Sequence, residues 1–572
     1  METVSEILAA RLQTAFDRVA PGADPVLRPS ERADFQDNGA LALARALGRA
    51  PRDLAQEICA HLDLAGVAEV EVAGAGFLNV TLSAGFLDER LRALAGDARL
   101  GVRPADPVRT VVIDYSAPNV AKEMHVGHLR STVIGDALAR VERLVGNRVI
   151  ARNHVGDWGT PFGMLIEHLI DQGEDAGSAE LAVGDLTAFY QDARAAFDAD
   201  EAFRERSRAR VVALQAGDPE TRRLWRLLVD QSVAYFSEVY ARLGVTLRSE
   251  DIRGESSYND DLAGVVADLD ALGLLVDSDG ARCVFPPGFA NREGEPLPLI
   301  VQKRDGGFGY AATDLAAVRD RVTRLGADTM LYVVGTPQAQ HFSMVFAVAR
   351  LAGWLPDAVR CEHVAFGNVL GADHKMLKTR SGGTVKLIDL LDEAIARADQ
   401  ALVERGATGD EASRRALAEQ IARAAIKYAD LSTERQRDYV FDLERMVAFE
   451  GDTGPYLQYA HTRVRSILRR AGATTVAPPA RFALDEPAER ALGRALLDWP
   501  DALAATRASA QPHRLCGYLF SLAQAFTAFY EACAVLGAPE PVRTQRLALC
   551  DLTARTLAQG LDTLGIEAPE RM

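Results

Sequence analysis

A multidomain α/β fold follows from three observations on this 572-residue chain. Between residues 108 and 152 a short β-branched run, a segment of helical spacing and a second β-branched run succeed one another, the pattern of a β-α-β unit with a parallel sheet. Short apolar runs alternate with helical segments again from 297 to 366. Beyond about Lys386 only helical periodicity is left. The division expected is an α+β domain over 1–104, a parallel-sheet domain over 105–385 with a helical insertion at about 165–260, a helical connector over 386–450 and an all-α domain over 451–572.

In the first domain, helical patterns fill Val4–Val19 and Ala40–Leu62. An alternating stretch, Val67 to Leu82, predicts two strands joined at Gly74–Gly76, and Arg103-Pro-Ala-Asp-Pro107 reads as a linker. Val108 to Ile113 reads as a buried strand. Leu129, Val133, Leu138, Val141 and Leu144 give the next segment a helical stripe that closes at Gly146-Asn147, and Arg148–Arg152 is the second strand. The sheet is expected to resume at Leu297–Lys303, with Asp314 opening a helix through Leu325. A strand follows at Asp328–Val334, a helix at Ala339–Trp354 and a strand at Val359–Phe366. The helical remainder is Asp389–Arg405, Glu411–Asp430, Gly454–Arg470, Glu486–Leu503, His513–Val535 and Pro541–Leu564.

The chemistry concentrates where the first strand turns into its helix, in Asp114-Tyr-Ser-Ala-Pro-Asn-Val-Ala-Lys-Glu-Met-His-Val-Gly-His128. The first amides of a helix lack internal partners and its dipole is positive there, which suits phosphate. His125 and His128, one turn apart, add donors, and Gly127 lets a ligand approach the backbone. The two imidazoles read alternatively as a capping pair. A second positive stretch, Gly371-Ala-Asp-His-Lys-Met-Leu-Lys-Thr-Arg-Ser-Gly-Gly383, reads either as a mobile phosphate clamp or as a solvated hairpin tip.

Composition bounds the rest. Net charge is −16, so any nucleic-acid face must be local. Only six of the 64 basic residues are Lys: 122, 303, 375, 378, 386 and 427. Several lie in the two stretches above, where a compact ammonium suits phosphate. Six scattered Cys with no C-x-x-C argue against zinc and against disulfides. No run reaches the ~20 apolar residues that span a bilayer. The N-terminus lacks a secretory core, so the cytoplasm is the expected location.

H-x-G-H alone is a short motif. Set between strand and helix, and followed some 250 residues later by a glycine-flanked lysine loop, it resembles the paired nucleotide-binding signatures of class I aminoacyl-tRNA synthetases. The stretch Asp114 to Ser131 is similar to the arginyl-tRNA synthetase family. So, in the same order, are Val155-Gly-Asp-Trp-Gly-Thr-Pro-Phe-Gly163, Tyr310-Ala-Ala-Thr-Asp-Leu-Ala317, Leu377-Lys-Thr-Arg-Ser-Gly-Gly-Thr384, Asp452-Thr-Gly-Pro-Tyr-Leu-Gln-Tyr-Ala460 and the ending Leu564 to Met572. The resemblance covers essentially the whole chain.

It implies a Rossmann-type catalytic domain, an N-terminal domain meeting the tRNA elbow and an all-α anticodon-binding bundle. It also implies a two-step reaction that depends on tRNA: arginine and ATP give arginyl-adenylate and pyrophosphate, and the arginyl group passes to the terminal adenosine of tRNA(Arg). The attacking carboxylate is already ionised, so the first step needs positioning and positive groups around the phosphates. His125, His128, Lys122, Gly127, Lys375 and Lys378 are the candidates. The family's usual second signature is Lys-Met-Ser-Lys-Ser; here Met376-Leu-Lys-Thr-Arg380 puts Thr379 where the catalytic Lys would stand, and Lys122 is expected to supply the missing charge. By resemblance Asp114, Asp314 and Tyr310 face the guanidinium, while Asn119, Gln338 and His128 hold the amino-acid end. Asp314 reads otherwise as a helix cap and Asp114 as a strand-end residue. Arg463, Arg465 and Arg469 on one helix read either as a snorkelling stripe or as RNA phosphate contacts. Mg2+ is implied with ATP, without a visible protein ligand set, and the family is commonly monomeric. A catalytically silent RNA-binding relative is the alternative, and a small-molecule nucleotidyltransferase would leave the flanking domains without purpose.

Overall fold

The computed structural model describes residues 2–30, 32–173, 186–304, 306–377, 385–407 and 410–572. The chain divides into two compact units. One comprises Met1–Arg103, Phe449–Asp562 and Glu567–Met572; the other comprises Pro104–Ala448 and Thr563–Ile566.

The second unit is built on a four-stranded parallel sheet in the order Arg360–His363, Thr329–Tyr332, Thr110–Asp114, Arg148–Arg152. Val111, Val112 and Ile113 are buried, as they must be in a parallel strand with both faces covered. The register sets Asp114 level with Tyr332 on one side and Arg152 on the other. From Thr110–Asp114 the chain goes first to one neighbour and much later to the other. That reversal leaves a crevice at the carboxyl ends of the two central strands. Helices Val126–Leu144, Tyr310–Thr323 and Ala339–Leu351 connect or cover the strands. The helical insertion contains Thr160–Gln172, Leu186–Ala199, Glu201–Ala216 and Pro219–Leu243.

Three expectations are corrected here. The Leu299–Gln302 strand does not rejoin the parallel sheet. It pairs antiparallel with Ala281–Val284, which forms a hairpin with Val276–Ser278. Asp279-Gly280, both at positive φ, make its two-residue turn; strands of three and four residues carry too little periodicity to be seen without it. Nor is everything after Lys386 helical, for Tyr439–Val440 pairs in parallel with Val369–Leu370. Lys427 also departs from the phosphate reading. It is 1 % exposed and donates to the carbonyls of Gly244 at 2.9 Å and Gly565 at 2.7 Å.

In the first unit the Ala68–Ala73 and Phe77–Leu82 hairpin stands where expected, extended by the short strands Phe35–Asp37 and Leu27–Pro29 into an antiparallel sheet. The expected helix over 40–62 is two, Gly39–Leu47 and Pro51–His61, with Pro51 at the start of the second. The expected Glu486–Leu503 helix likewise breaks at Asp498, giving Pro487–Leu497 and Trp499–Ser509 with Pro500 in the first turn of the latter. Val4–Val19, Ala84–Gly96, Gly454–Arg470, His513–Ala532 and Val542–Thr563 are the other described helices. Arg490 ties the N-terminal sheet to them, 2.6 Å from Asp34 and 2.8 Å from the Leu82 carbonyl.

Candidate active site

The connection from Asp114 to His125 carries three non-glycine residues in the left-handed region, Ser116, Ala117 and Ala121. Such conformations are unfavourable singly and persist where surroundings dictate them. Here side chains from elsewhere bind the backbone. Ser131 accepts from the Ser116 amide at 2.8 Å, Asn153 from Ala117 at 2.9 Å and Ser232 from Ala121 at 2.9 Å. Asn119 forms a bridge to Gly156, where a Cβ would sit 2.5 Å from the Asn119 side-chain oxygen. Glycine is required at 156 because Asn119 occupies that space.

The two histidines do cap their helix, and this defines their chemistry. Gly127 N–H donates to His125 Nδ1 at 3.1 Å, and His125 N–H donates to His128 Nδ1 at 3.1 Å. The rings stand 4.1 Å apart, centroid to centroid. With Nδ1 accepting in both rings, a neutral imidazole carries its hydrogen on Nε2. Burial, then the Lys122 charge, holds His125 below the usual imidazole range. Burial, then His125, pushes His128 down to about 3. The pair therefore offers two neutral donors rather than positive charge. Gly127 also has a different reason from ligand approach, for a Cβ would lie 2.8 Å from His125 Cε1, inside the folded-over ring.

Lys122 supplies the charge beside them. It is half-buried, with its ammonium 4.2 Å from the centre of the Tyr190 ring. The lysine loop is rooted next to the same helix. On its far side Val126 N–H donates to the Val385 carbonyl and Leu387 N–H to Met124, while Lys386 pairs with buried Glu123 at 2.8 Å. On its near side Gly371 N–H donates to the Lys375 carbonyl and Leu377 N–H to Val369. Lys375 is exposed on that hairpin. Lys378 and Thr379 lie outside the described residues.

The acidic side of the crevice differs from expectation. Asp114, the last residue of its strand, has its carboxylate 2.5 Å from Arg321 Nη2, and both side chains are almost fully buried. Its charge is thus answered from within. Arg321 belongs to the Tyr310–Thr323 helix, so the pair fastens that helix to the central strand. The helix starts at Tyr310 with Gly309 as its cap, which removes Asp314 from a capping role. Asp314 instead accepts from or pairs with His341 Nε2 at 2.6 Å.

Coupled to it through charge is Glu255, which the sequence reading missed. Burial, then the charges of Asp157 and Asp314, pushes Glu255 up to about 8. Glu255 acts electrostatically on Tyr310 as well. The Val155-Gly-Asp-Trp motif presents it: the Glu255 amide donates to the Val155 carbonyl, and Asp157 accepts from the Ser256 amide at 2.8 Å and hydroxyl at 2.7 Å. That motif was the available signal. Carboxyl groups and a phenol in one electrostatic cluster are the chemistry that a guanidinium calls for. Gln338 is exposed at the start of the Ala339–Leu351 helix.

The expected arginine stripe is engaged within its own unit. On the Gly454–Arg470 helix, Gln458 donates to the Glu567 carbonyl, His461 sits 3.0 Å from that of Pro569, Arg465 pairs with Glu570, and Arg469 donates to the Glu570 carbonyl at 2.7 Å. Arg463 stacks on Tyr530. Gln458, His461, Arg465 and Arg469, about one per turn, hold the C-terminal peptide.

Comparison with known proteins bears on this geometry. Residues 92–443 match the family model of the class I (R) tRNA synthetase catalytic domain, 457–572 the DALR anticodon binding domain and 2–82 the arginyl tRNA synthetase N-terminal domain. The arginine–tRNA ligases of Thermobifida fusca and Frankia casuarinae are 53% and 52% identical, over 99% and 98% of this chain and 99% and 97% of theirs. The arginyl-tRNA synthetase structure from Plasmodium falciparum superposes with a TM-score of 0.86 at 28% identity, covering all of both chains. That of Thermus thermophilus gives 0.82 at 26%, covering 99% of both.

Proposed function

The chain belongs to the class I arginyl-tRNA synthetases, and from that premise we propose how its site carries out ATP-dependent arginine–tRNA ligation. The carboxylate of arginine attacks the α-phosphorus of ATP. An oxygen–phosphorus bond forms, the bond to the bridging oxygen breaks, and pyrophosphate leaves. A hydroxyl of the terminal adenosine of tRNA(Arg) then displaces AMP from the adenylate.

The observation that carries the reading is the Nδ1 pattern of His125 and His128. Each ring is oriented by a backbone amide, which leaves Nε2–H to donate beside a helix start whose dipole already favours phosphate. Preoriented donors of this kind stabilise charge as it builds on the α-phosphate, without reorganisation. Lys122 adds the compact cation, and Lys375 reaches the outer phosphates. Glu255 and Asp314 take the guanidinium, with Tyr310 beside it; Asn119 and Gln338 hold the amino-acid end. Asp114 keeps the Tyr310–Thr323 helix in place.

No three His, Cys, Asp or Glu side chains converge as a metal ligand set among the described residues. Magnesium enters the site with ATP, as the substrate MgATP. Residues 1–104 meet the tRNA elbow, 386–450 its stem and 451–572 the anticodon, and the enzyme works as a monomer. The anticodon binding domain description matched over 457–572 supports the last of these assignments. Arginine-dependent ATP–pyrophosphate exchange, run with and without tRNA, tests the reading. Exchange that needs tRNA, and that falls in His125→Ala with the arginine KM unchanged, is the expected result. An unaltered exchange rate in that variant removes the donor role.

A further inference from the structure

We propose that Arg130 and Asp430 are positioning residues whose buried ion pair sets the strand leading into the Lys375 hairpin against the helix that carries His125 and His128. The inference rests on the reading of those two elements as the ATP-holding ones.

Arg130 follows His125 by five residues on the Val126–Leu144 helix. Its Nε lies 3.3 Å from Asp430 Oδ2, near the end of the Glu411–Leu431 helix, and neither side chain is more than 1 % exposed. Nη1 donates to the Arg437 carbonyl at 2.8 Å. The guanidinium carbon stands 5.3 Å from the Tyr439 ring centre and 5.8 Å from that of Phe366. Those last three contacts fall on two adjacent runs of chain, 365–370 and 435–441. The runs are laced together: Gly367 N–H donates to the Arg435 carbonyl, Tyr439 N–H to Asn368 and Phe441 N–H to Leu370. Leu370 is followed at once by the Lys375 turn. One planar group therefore links the histidine helix to the Glu411–Leu431 helix, to the Tyr439–Val440 strand and to the stretch that leads into Val369–Leu370.

The exit of the same loop is separately bonded to Met124 and Val126. The hairpin root and the loop exit are thus referred to one helix, the first through Arg130 and the second through its backbone. A two-residue strand pair, Val369–Leu370 with Tyr439–Val440, has little register preference of its own. A buried ion pair contributes little net stability compared with apolar groups of the same size. What a rigid fork with fixed donor directions supplies here is a single register.

The test uses the full-length enzyme with tRNA present, following arginine-dependent pyrophosphate exchange. Two variants are made: Arg130→Met with Asp430→Leu, which removes both charges together, and Arg130→Lys, which keeps the charge but not the fork. Each is expected to retain its melting temperature to within about 4 °C and its arginine KM. ATP KM should rise by about 10-fold or more, since displacements well away from the chemistry cost rates of that size. An unchanged ATP KM in a folded variant overturns the inference. So does a matched rise in both KM values, or failure of both variants to fold, either of which makes the pair a stability element. Lys375→Ala is measured alongside. If it alone raises the ATP KM, the positioning inference fails. If the pair variants raise it and Lys375→Ala does not, the hairpin reading fails and the positioning inference stands.

Discussion

Arginine binding should release a proton, and Glu255 should be its source. The carboxyl group is pushed up to about 8 by burial and by the charges of Asp157 and Asp314, so near pH 7 about nine in ten molecules carry it protonated. A guanidinium is best held by the ionised form. The arginine dissociation constant should then scale as one plus the ratio of protonated to ionised Glu255. That makes affinity about 11-fold weaker at pH 7 than at its alkaline limit, and about twofold weaker at pH 8, a difference of about 1 kcal/mol. Calorimetric titration of arginine between pH values of about 6.5 and 8, in two buffers of different ionisation heat, gives both the slope and the proton count. About 0.9 proton per arginine is expected near pH 7. Glu255→Gln should bind more weakly at pH 8 and lose the slope. A flat profile in the wild type, or a slope that survives in Glu255→Gln, refutes the reasoning.

Four further outcomes are expected. Lys122→Ala should lower arginine activation by about 100-fold, measured as exchange rate; Tyr190→Leu should lower it less, with Tyr190→Phe keeping the wild-type rate because the ring that faces the ammonium is retained. Asp314→Ala should raise the KM for arginine far more than that for ATP, and equal effects would remove it from the guanidinium seat. Asp114→Ala should destabilise by about 3–5 kcal/mol in a denaturant titration, because it leaves Arg321 buried and unpaired; a variant of normal stability with only a raised arginine KM would restore Asp114 to the substrate. His128 stays neutral in the fold down to about 3 whereas the unfolded imidazole protonates near 6.5, so its contribution to stability is whole above about 6.5 and is lost as pH falls toward 3. His128→Gln, which can still cap the helix, should therefore unfold less readily than wild type at pH values between about 4 and 6, and an identical pH profile would count against the assignment.

Much of the fold was legible because strands such as Val108–Ile113 and helices such as Gly454–Arg470 carry full periods of pattern. The hairpin at 276–284 and the 439–440 strand were not, since two to four residues do not establish a period. The first signature identified the right junction because strand, glycine and helix lie consecutively in the chain. Glu255 was invisible for the opposite reason. Its chemistry comes from Asp157 and Asp314, 98 and 59 residues away in sequence, and only folding sets them together. The pairing of Asp114 was invisible for a related cause, its partner Arg321 being 207 residues downstream. Arginine is so abundant here that no single one signals a buried role, and the stripe on the Gly454–Arg470 helix shows the same difficulty at the C-terminal peptide.

The order of strands in the catalytic sheet also bears on synthesis. Thr110–Asp114 is central, yet one of its two neighbours is Thr329–Tyr332. A ribosome adding about 5–20 residues per second needs roughly 10–40 s to bring the second partner out after the first strand has emerged. Through that interval Val111, Val112 and Ile113 present an open apolar edge to whatever else is present. The growing polypeptide is therefore most exposed to misassembly while its insertion helices are being made. A chaperone acting on nascent chains of this length, somewhat past the midpoint of translation, should do more for the yield of folded enzyme than one acting on the released product.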